Sequence, residues 1–285
     1  MAVILGIIIV LGAIFGGFAL EGGHLAALFQ PYELLMIAGG ALGAFAIAND
    51  GQSTKATVKA LRTIFQSPQQ TSALYIDLLS LLHDILSRVR KEGLMSIEFD
   101  IDSPEESAMF MKYPNIMKDH HLIEFICDYF RLMVSGSMDP FQIENLMDND
   151  IDVHHQDGEL AIHAINKVAD GLPAFGIVAA VMGVVHTMGS VGIPPSELGN
   201  LIAAALVGTF LGILLAYGVF SPLASLLDRK LQESTKVFQC VKVTMIASMN
   251  GYAPTLALEF GRKVVSANLR PTFKELEAHF RQAKK

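Results

Sequence analysis

The chain has 285 residues, of which 52% are hydrophobic and 17% are charged, and its formal net charge is -7. This acidic balance argues against a nucleic-acid partner, because phosphate backbones attract basic surfaces. The proportion of charged residues suits a chain that lies partly in a membrane and partly in water.

The basic residues are distributed unevenly. All 21 of them fall into two blocks, ten between Lys55 and Lys167 and eleven between Arg229 and Lys285. Basic residues that flank transmembrane helices remain in the cytoplasm, so both blocks are expected on the cytoplasmic side. Each uncharged stretch must then cross the membrane an even number of times.

The first uncharged stretch predicts a pair of membrane helices. Residues 2–20 would form a helix of about 28 Å, close to the bilayer hydrocarbon thickness of about 30 Å. A shorter apolar run, residues 34–48, follows after a turn-like segment, and Tyr32 can anchor it at the interface. Residues 2–20 lack the basic n-region of a signal peptide, so we expect this helix to be retained.

Helices are also predicted in the polar stretch that follows. Apolar residues recur at helical spacing in residues 73–92 and in residues 121–134, and a glycine lies close after each segment. Asp139 and Pro140 form an N-cap and first-turn pair, which opens a periodic segment that continues through Asp170. The pattern predicts one long helix that enters the membrane.

The second uncharged stretch predicts another membrane hairpin. Residues 172–191 and 198–222 would be the third and fourth spans, joined by a short external turn at 192–197. We therefore predict an all-α membrane protein with four transmembrane helices, the third and fourth extended into a cytoplasmic helical domain. The predicted domains are a transmembrane hairpin at 1–49, a cytoplasmic helical domain at 50–170, a transmembrane hairpin at 171–222 and cytoplasmic C-terminal helices at 223–285.

Small residues recur four positions apart in every predicted span. This spacing allows helix backbones to approach closely in lipid, so it predicts contacts with other helices. The pairs are Gly12 and Gly16, Gly39 and Gly43, Ala179 and Gly183, and Gly208 and Gly212.

The third and fourth spans contain Thr209 but no carboxylate or lysine at mid-depth. A charged group there costs roughly 2.5 to 3.5 kcal/mol and usually marks an ion path. If the protein moves ions, a partner must therefore supply the ionisable group. Taken alone, the Thr209 hydroxyl can donate back to the carbonyl of Ala205. Pro173 and Pro222 mark either span boundaries or hinges.

Five titratable residues resemble a metal-ligand cluster: His154, His155, Asp157, Glu159 and His163. On a helix, His154 lies away from the face of His155 and His163, and the spacing matches no metal motif, so a solvated face is favoured. A membrane-bound metalloenzyme is the alternative. Because the chain lacks a nucleophile elbow, a phosphate loop and a dinucleotide fingerprint, we expect no enzyme activity, no cofactor and no metal site.

Four longer motifs carry a resemblance to a known family. They lie at residues 171–186 (GLPAFGIVAAVMGVVH), 207–222 (VGTFLGILLAYGVFSP), 250–254 (NGYAP) and 259–263 (EFGRK). These motifs resemble the MotA family, the A subunits of bacterial flagellar motor stators, which are related to PomA and more distantly to ExbB and TolQ. The resemblance extends over essentially the whole chain.

The resemblance implies an assembly and a location. Five copies of the chain would surround two copies of a single-span, MotB-like B subunit, whose membrane Asp binds the ion. The ring would contact membrane lipid and span the bacterial inner membrane several times, with both termini in the cytoplasm. Ion flow would turn the ring against a FliG-like rotor switch protein.

The resemblance also implies roles for particular residues. Residues 90–98 match the rotor-contacting segment, which places Arg90 and Glu98 in charged contacts with the rotor. We assign Pro173 and Pro222 to hinge motion and coupling.

The ion is predicted from Ala180 and Thr209. Sodium-driven relatives have a Thr in the place of Ala180, close to the hydroxyl that corresponds to Thr209. A sodium ion must exchange its hydration shell for several protein oxygens, whereas a proton needs only a carboxylate and a hydrogen-bonded path. We therefore predict a proton-conducting stator subunit in which Thr209 hydrogen-bonds the partner Asp. A sodium-driven stator and an ExbB/TolQ-like energy-transducing protein are the alternatives.

Overall fold

A computed structural model of the chain describes residues 2–66, 69–136, 138–189 and 192–282. Every regular element in these residues is helical and none is a β-strand, which agrees with the all-α prediction. Four helical stretches are long and apolar enough to cross a membrane. They are Ala2–Leu20, Leu25–Ala48, Pro140–Met188 and Pro195–Met249.

The described residues form eleven α-helices. They are α1 (Ala2–Leu20), α2 (Pro31–Ala48), α3 (Gly51–Ile64), α4 (Ser72–Glu92), α5 (Glu98–Asp102), α6 (His120–Ser135), α7 (Pro140–Met188), α8 (Pro195–Leu215), α9 (Ser221–Met249), α10 (Pro254–Val264) and α11 (Phe273–Gln282). Short 3₁₀ turns lie at Leu25–Leu28, Leu94–Ile97 and Phe110–Lys112, and a π-helical turn at Ala216–Phe220 joins α8 to α9.

The chain divides into two compact units, and the long helices α7 and α9 contribute to both. The first unit comprises Met1–Ser67 and Asp157–Arg229, and it contains α1, α2, α3 and α8. The second unit comprises Pro68–Gln156 and Lys230–Lys285, and it contains α4, α5, α6, α10 and α11.

The four spans occur where the sequence predicts them, but their ends differ. Helix α2 begins at Pro31 rather than at residue 34, because a proline in the first turn of a helix needs no hydrogen-bond partner for a backbone N–H. Helix α8 likewise begins at Pro195 rather than at residue 198. The predicted end of the third span, at Ser190 and Val191, lies outside the described residues.

The helices of the second unit begin and end at residues whose chemistry favours a boundary. Asp139 accepts a hydrogen bond from the Gln142 N–H at 2.9 Å, and the Gln142 side chain accepts one from the Asp139 N–H at 3.1 Å. This reciprocal cap starts α7. Helix α4 ends at Gly93, whose φ of +86° is a left-handed conformation that glycine adopts without strain. Helices α4 and α6 match the predicted segments to within one residue at each end.

A continuous hydrophobic core stabilises the second unit. Leu78, Leu82 and Ile85 from the apolar stripe of α4 have no exposed surface. Residues of α6, α7, α9 and α10 complete this core, among them Phe130 and Met147. Because burial of one such side chain contributes roughly 1.5 to 3 kcal/mol, the core holds α4 and the turn that follows it in a fixed place.

Candidate functional site

Helices α7 and α8 pack backbone against backbone in the first unit. A Cβ atom added to Gly212 would lie 2.6 Å from the carbonyl oxygen of Leu172. One added to Gly176 would lie 2.9 Å from the carbonyl oxygen of Gly208. Real Cβ atoms do not approach other atoms so closely, so this contact requires glycine at both positions.

Thr209 and Ala180, the two predicted ion-pathway residues, lie along this contact. A Cβ atom on Gly176 would be 3.3 Å from Thr209 Cα, and one on Gly208 would be 3.6 Å from the Ala180 nitrogen. Both residues are half-buried within the chain. The structure therefore brings them together on the two facing helices.

The hydroxyl of Thr209 makes no hydrogen bond with any described residue. Thr187, the threonine of the third span, behaves differently, because its hydroxyl donates to the Gly183 carbonyl at 2.8 Å. The bond from Thr209 to the Ala205 carbonyl, which the residue type alone permits, is not formed. The Thr209 hydroxyl is thus able to bond a group from outside this chain.

The two prolines flank the α7–α8 contact along the chain. Pro173 lies inside the continuous helix α7, next to Leu172, the residue whose carbonyl meets Gly212. Pro222 follows the π-helical turn, in which the Ser221 N–H donates to the Ala216 carbonyl five residues earlier. Sequence reasoning missed this turn, and π-helical turns occur often at functional sites.

Glu33 is a further polar residue that the sequence analysis did not single out. It lies in the first turn of α2, where the helix dipole favours a negative charge. One of its carboxylate oxygens is buried and has no hydrogen-bond partner among the described residues. The described part of the first unit therefore does contain a partly buried carboxylate, but at the end of a span rather than at mid-depth.

Arg90 and Glu98 lie on either side of the turn between α4 and α5. Both side chains are exposed, and neither makes an ion pair or a hydrogen bond with a described residue. Helix α5 is short, so it depends on its neighbours for its position. The charges of Arg90 and Glu98 are therefore free to bind a charged partner.

A network of charged side chains fixes α5. Arg88 donates to one oxygen of the nearly buried Asp100 at 2.5 Å, and Ser107 donates to the other at 2.5 Å. Arg131 donates to Asp102 at 2.9 Å, and this hydrogen bond raises the pKa of the Arg131 guanidinium. Arg88 thus has a structural role, whereas Arg90, two residues later, remains exposed.

The same surface carries two apolar residues that sequence reasoning missed. Met95 and Phe99 are four residues apart, and each is 63% exposed. Met95 lies between Arg90 and Glu98 in the sequence, and Phe99 directly follows Glu98. Large exposed apolar side chains beside charged ones are typical of an interface with an apolar centre and a charged rim. No periodic pattern marks them, because Met95 lies in the 3₁₀ turn Leu94–Ile97 and Phe99 in the five-residue helix α5, and both elements are too short to show one.

The histidines of α7 form contacts between helices. His155 Nδ1 lies 3.0 Å from Thr235 Oγ1 on α9, and His154 Nε2 lies 3.4 Å from Ser234 Oγ. Among the residues that the structure describes, no group of three or more His, Cys, Asp or Glu is placed to hold a metal ion. The structure therefore gives no support to the metalloenzyme alternative.

Neither cysteine is a candidate nucleophile. Burial raises the pKa of the Cys127 thiol and of the Cys240 thiol to about 12. Both side chains stay protonated at neutral pH, and a thiol is a far weaker nucleophile than a thiolate.

Comparison with known proteins identifies a family along most of the chain. The family "Motility protein A N-terminal" matches residues 4–93, and "MotA/TolQ/ExbB proton channel family" matches residues 118–240. The chain is 50% identical to Motility protein A of Salmonella typhimurium over 281 residues, which cover 99% of this chain and 95% of the relative. It is 51% identical to Motility protein A of Escherichia coli over 284 residues, which cover 100% of this chain and 96% of the relative.

Two solved structures share the fold. The structure of C. jejuni MotAB has a TM-score of 0.78 at 18% identity and covers 95% of this chain and 98% of that one. The flagellar MotAB stator complex from Bacillus subtilis has a TM-score of 0.72 at 24% identity, with coverage of 90% and 92%. At these identities the likeness establishes the fold alone.

The α7–α8 contact gives the first prediction. Gly212→Ala places a methyl group against the Leu172 carbonyl, so the two helices must separate and Thr209 must move. We expect Gly212→Ala to abolish ion flux and motility. The matched control is Gly199→Ala on the same helix. A Cβ atom added at Gly199 would have no other atom of this chain within 4 Å.

The measurement is swimming speed, together with the amount of protein in the membrane. Equal motility of Gly212→Ala and Gly199→Ala would contradict the functional importance of the contact.

Proposed function

Because the chain belongs to the motility protein A family, we propose that it is the proton-conducting stator subunit of a bacterial flagellar motor. The observation that carries this proposal is the identity to Motility protein A, which extends over essentially the full length of both chains. The match to a proton channel family over residues 118–240 supports the proton as the conducted ion. The protein is a multi-pass membrane protein.

The ionisable group of the ion path comes, in this proposal, from a partner subunit. The third and fourth spans contain no carboxylate or lysine at mid-depth. The two solved relatives are MotAB complexes, which supports a single-span, MotB-like B subunit here. We infer a ring of five chains around two B subunits in the inner membrane, with both termini in the cytoplasm. Together with the B subunit, the chain conducts ions and transmits force, and it is not an enzyme.

Thr209 and Ala180 determine the ion in this account. The free Thr209 hydroxyl bonds the membrane carboxylate of the B subunit, and Ala180 across the contact adds a methyl group and no oxygen. A site with so few oxygens cannot replace the hydration shell of sodium, but it can pass a proton. The same residues weigh against the sodium-driven alternative.

An energy-transducing protein of the ExbB or TolQ type is a weaker alternative. The match at residues 4–93 is to the N-terminal part of Motility protein A, and it includes the first two candidate spans. This match favours the flagellar stator.

The ion prediction is tested by motility in sodium-free medium at fixed pH. We expect swimming to continue unchanged without sodium, because the Thr209 site needs only a proton.

The chain alone, reconstituted in liposomes, should pass no ions until the B subunit is added. Swimming that stops without sodium and resumes when it is restored would refute the proton assignment, and flux through the isolated chain would refute the role of the partner.

We propose that the domain at 50–170 contacts the rotor through Arg90 and Glu98. The support is their exposure and their lack of partners among the described residues, next to Met95 and Phe99. The partner is a FliG-like rotor switch protein with charges of opposite sign. Contacts of this kind are wet and modest, about 0.2 to 1 kcal/mol each.

A further prediction concerns these charges. Arg90→Glu should reduce motility, and the reversal of its partner charge on the rotor protein should restore part of it. The protein level should stay unchanged, because Arg90 makes no hydrogen bond or ion pair with a described residue. Arg88→Gln is the contrasting variant, because it leaves the buried Asp100 carboxylate without its cation and should lower the amount of folded protein. Normal swimming of Arg90→Glu and Glu98→Lys, alone and combined, would refute the assignment.

Another prediction concerns the prolines, which we propose act in coupling. Replacement of Pro173 or Pro222 by Ala restores a possible backbone hydrogen bond and should not unfold the helix. The expected result is a stator that inserts and assembles at normal levels but supports little motility. If both variants were lost from the membrane, the prolines would have a structural role instead.

A further inference from the structure

Helix α3 is a short cationic helix that follows directly after a membrane span. Only two residues separate the end of α2 at Ala48 from the start of α3 at Gly51, so α3 begins within about 10 Å of the end of the span. Asp50 caps α3 and accepts a hydrogen bond from the Ser53 N–H at 2.7 Å. Helix α3 belongs to the same compact unit as the spans.

The charges of α3 are all positive and lie on one face. Lys55, Lys59 and Arg62 are spaced four and three residues apart, and the helix contains no acidic residue. All three side chains are exposed, and none makes an ion pair or a hydrogen bond with a described residue. The protein has a net charge of -7, so this row of three cations is a local positive surface on an acidic chain. Such a surface attracts an anionic partner.

Two large apolar side chains lie beside this row. Val58 is 46% exposed and Phe65, which caps the helix, is 60% exposed. The other side of the helix is occupied, since Thr57 and Ile64 are 3% and 4% exposed. The exposed surface of α3 therefore combines a basic row with an apolar flank.

We propose that α3 lies in the membrane interface of the cytoplasmic leaflet and binds anionic phospholipid headgroups through Lys55, Lys59 and Arg62. Val58 and Phe65 insert at the boundary between headgroups and acyl chains. A basic row beside an apolar flank is the composition of helices that lie in a membrane surface. Basic residues next to a transmembrane helix attract the anionic lipids of the cytoplasmic leaflet.

Two observations favour lipid over a protein partner. The start of α3 is tethered to a span, so its first turn stays within about 10 Å of the membrane surface. Its row of three cations offers one kind of charge over about 10 Å with no acidic residue between, which suits a field of identical anionic headgroups. The inference depends on membrane insertion and not on which ion the protein conducts.

The chain contains no tryptophan, which allows a sharp test. Phe65→Trp introduces a single fluorophore into the full chain, which is then placed in nanodiscs of phosphatidylcholine and phosphatidylglycerol in fixed proportion. Two samples are compared: in one the phosphatidylcholine carries bromine on its acyl chains, and in the other the phosphatidylglycerol does. Bromine quenches the fluorescence of a nearby indole. We expect brominated phosphatidylglycerol to quench as though it were enriched about fivefold, the factor that a single basic residue contributes at an anionic surface. Val58→Trp should report the same enrichment.

Charge variants identify the cause. Replacement of Lys55, Lys59 and Arg62 by Gln should remove the preference for phosphatidylglycerol. The same change at three exposed lysines of the second unit, Lys118, Lys263 and Lys274, should leave it intact. About 1 M salt should also remove it, because the screening length falls to about 3 Å.

Three results would overturn the inference. Equal quenching by the two brominated lipids would show an interfacial helix that selects no headgroup. The absence of quenching by both would show that another protein surface covers α3. A preference that survives in the triple Gln variant would show that other residues attract the lipid.

Discussion

The direct contact between the backbones of α7 and α8 is the constraint on which the rest of the first unit depends. Side chains larger than glycine cannot be accommodated at Gly176 or Gly212, so the two helices are held at a fixed spacing. That spacing places Thr209 beside Gly176 and Ala180 beside Gly208, and the Thr209 hydroxyl is unpaired among the described residues. In lipid, where apolar burial does not drive helices together, such packing is the main source of stability. The geometry of the proposed ion path and the stability of the helix pair therefore have the same origin.

The same contact offers a route for coupling. Pro173 is adjacent to the residue whose carbonyl meets Gly212, and Pro222 follows the π-helical turn at Ala216–Phe220. Each proline removes a backbone donor from a helix that contributes residues to both compact units. In the proposed function, a change in hydrogen bonding at Thr209 would reach α7 and α9 at these two prolines.

Much of the fold follows from the sequence because its signals are local. The absence of Lys and Arg from the spans predicted all four, and the cap at Asp139 and the glycine at residue 93 predicted helix boundaries. The spacing of small residues predicted close contacts but not their partners. Gly208 and Gly212 contact α7, whereas added Cβ atoms at Gly12 and Gly16 would meet nothing within 4 Å in this chain.

Features that depend on the tertiary structure were not predictable from the sequence. The difference between the structural Arg88 and the exposed Arg90 depends on Asp100, twelve residues away along the chain from Arg88. The exposure of Phe99 depends on how that network orients α5. The family resemblance indicated Thr209 and Ala180. Only the structure shows that the Thr209 hydroxyl makes no hydrogen bond to a carbonyl of its own helix.

If the Thr209 hydroxyl acts on the partner carboxylate, proton flux through the reconstituted A and B complex should depend on that hydroxyl. Thr209→Val removes the hydroxyl and keeps the shape, while Thr209→Ser keeps the hydroxyl. The account predicts that Thr209→Ser conducts at a rate near that of the unmodified complex and that Thr209→Val loses at least tenfold, which corresponds to about 1.4 kcal/mol for one hydrogen bond. Equal flux through the Val and Ser variants, at equal complex assembly, would contradict it.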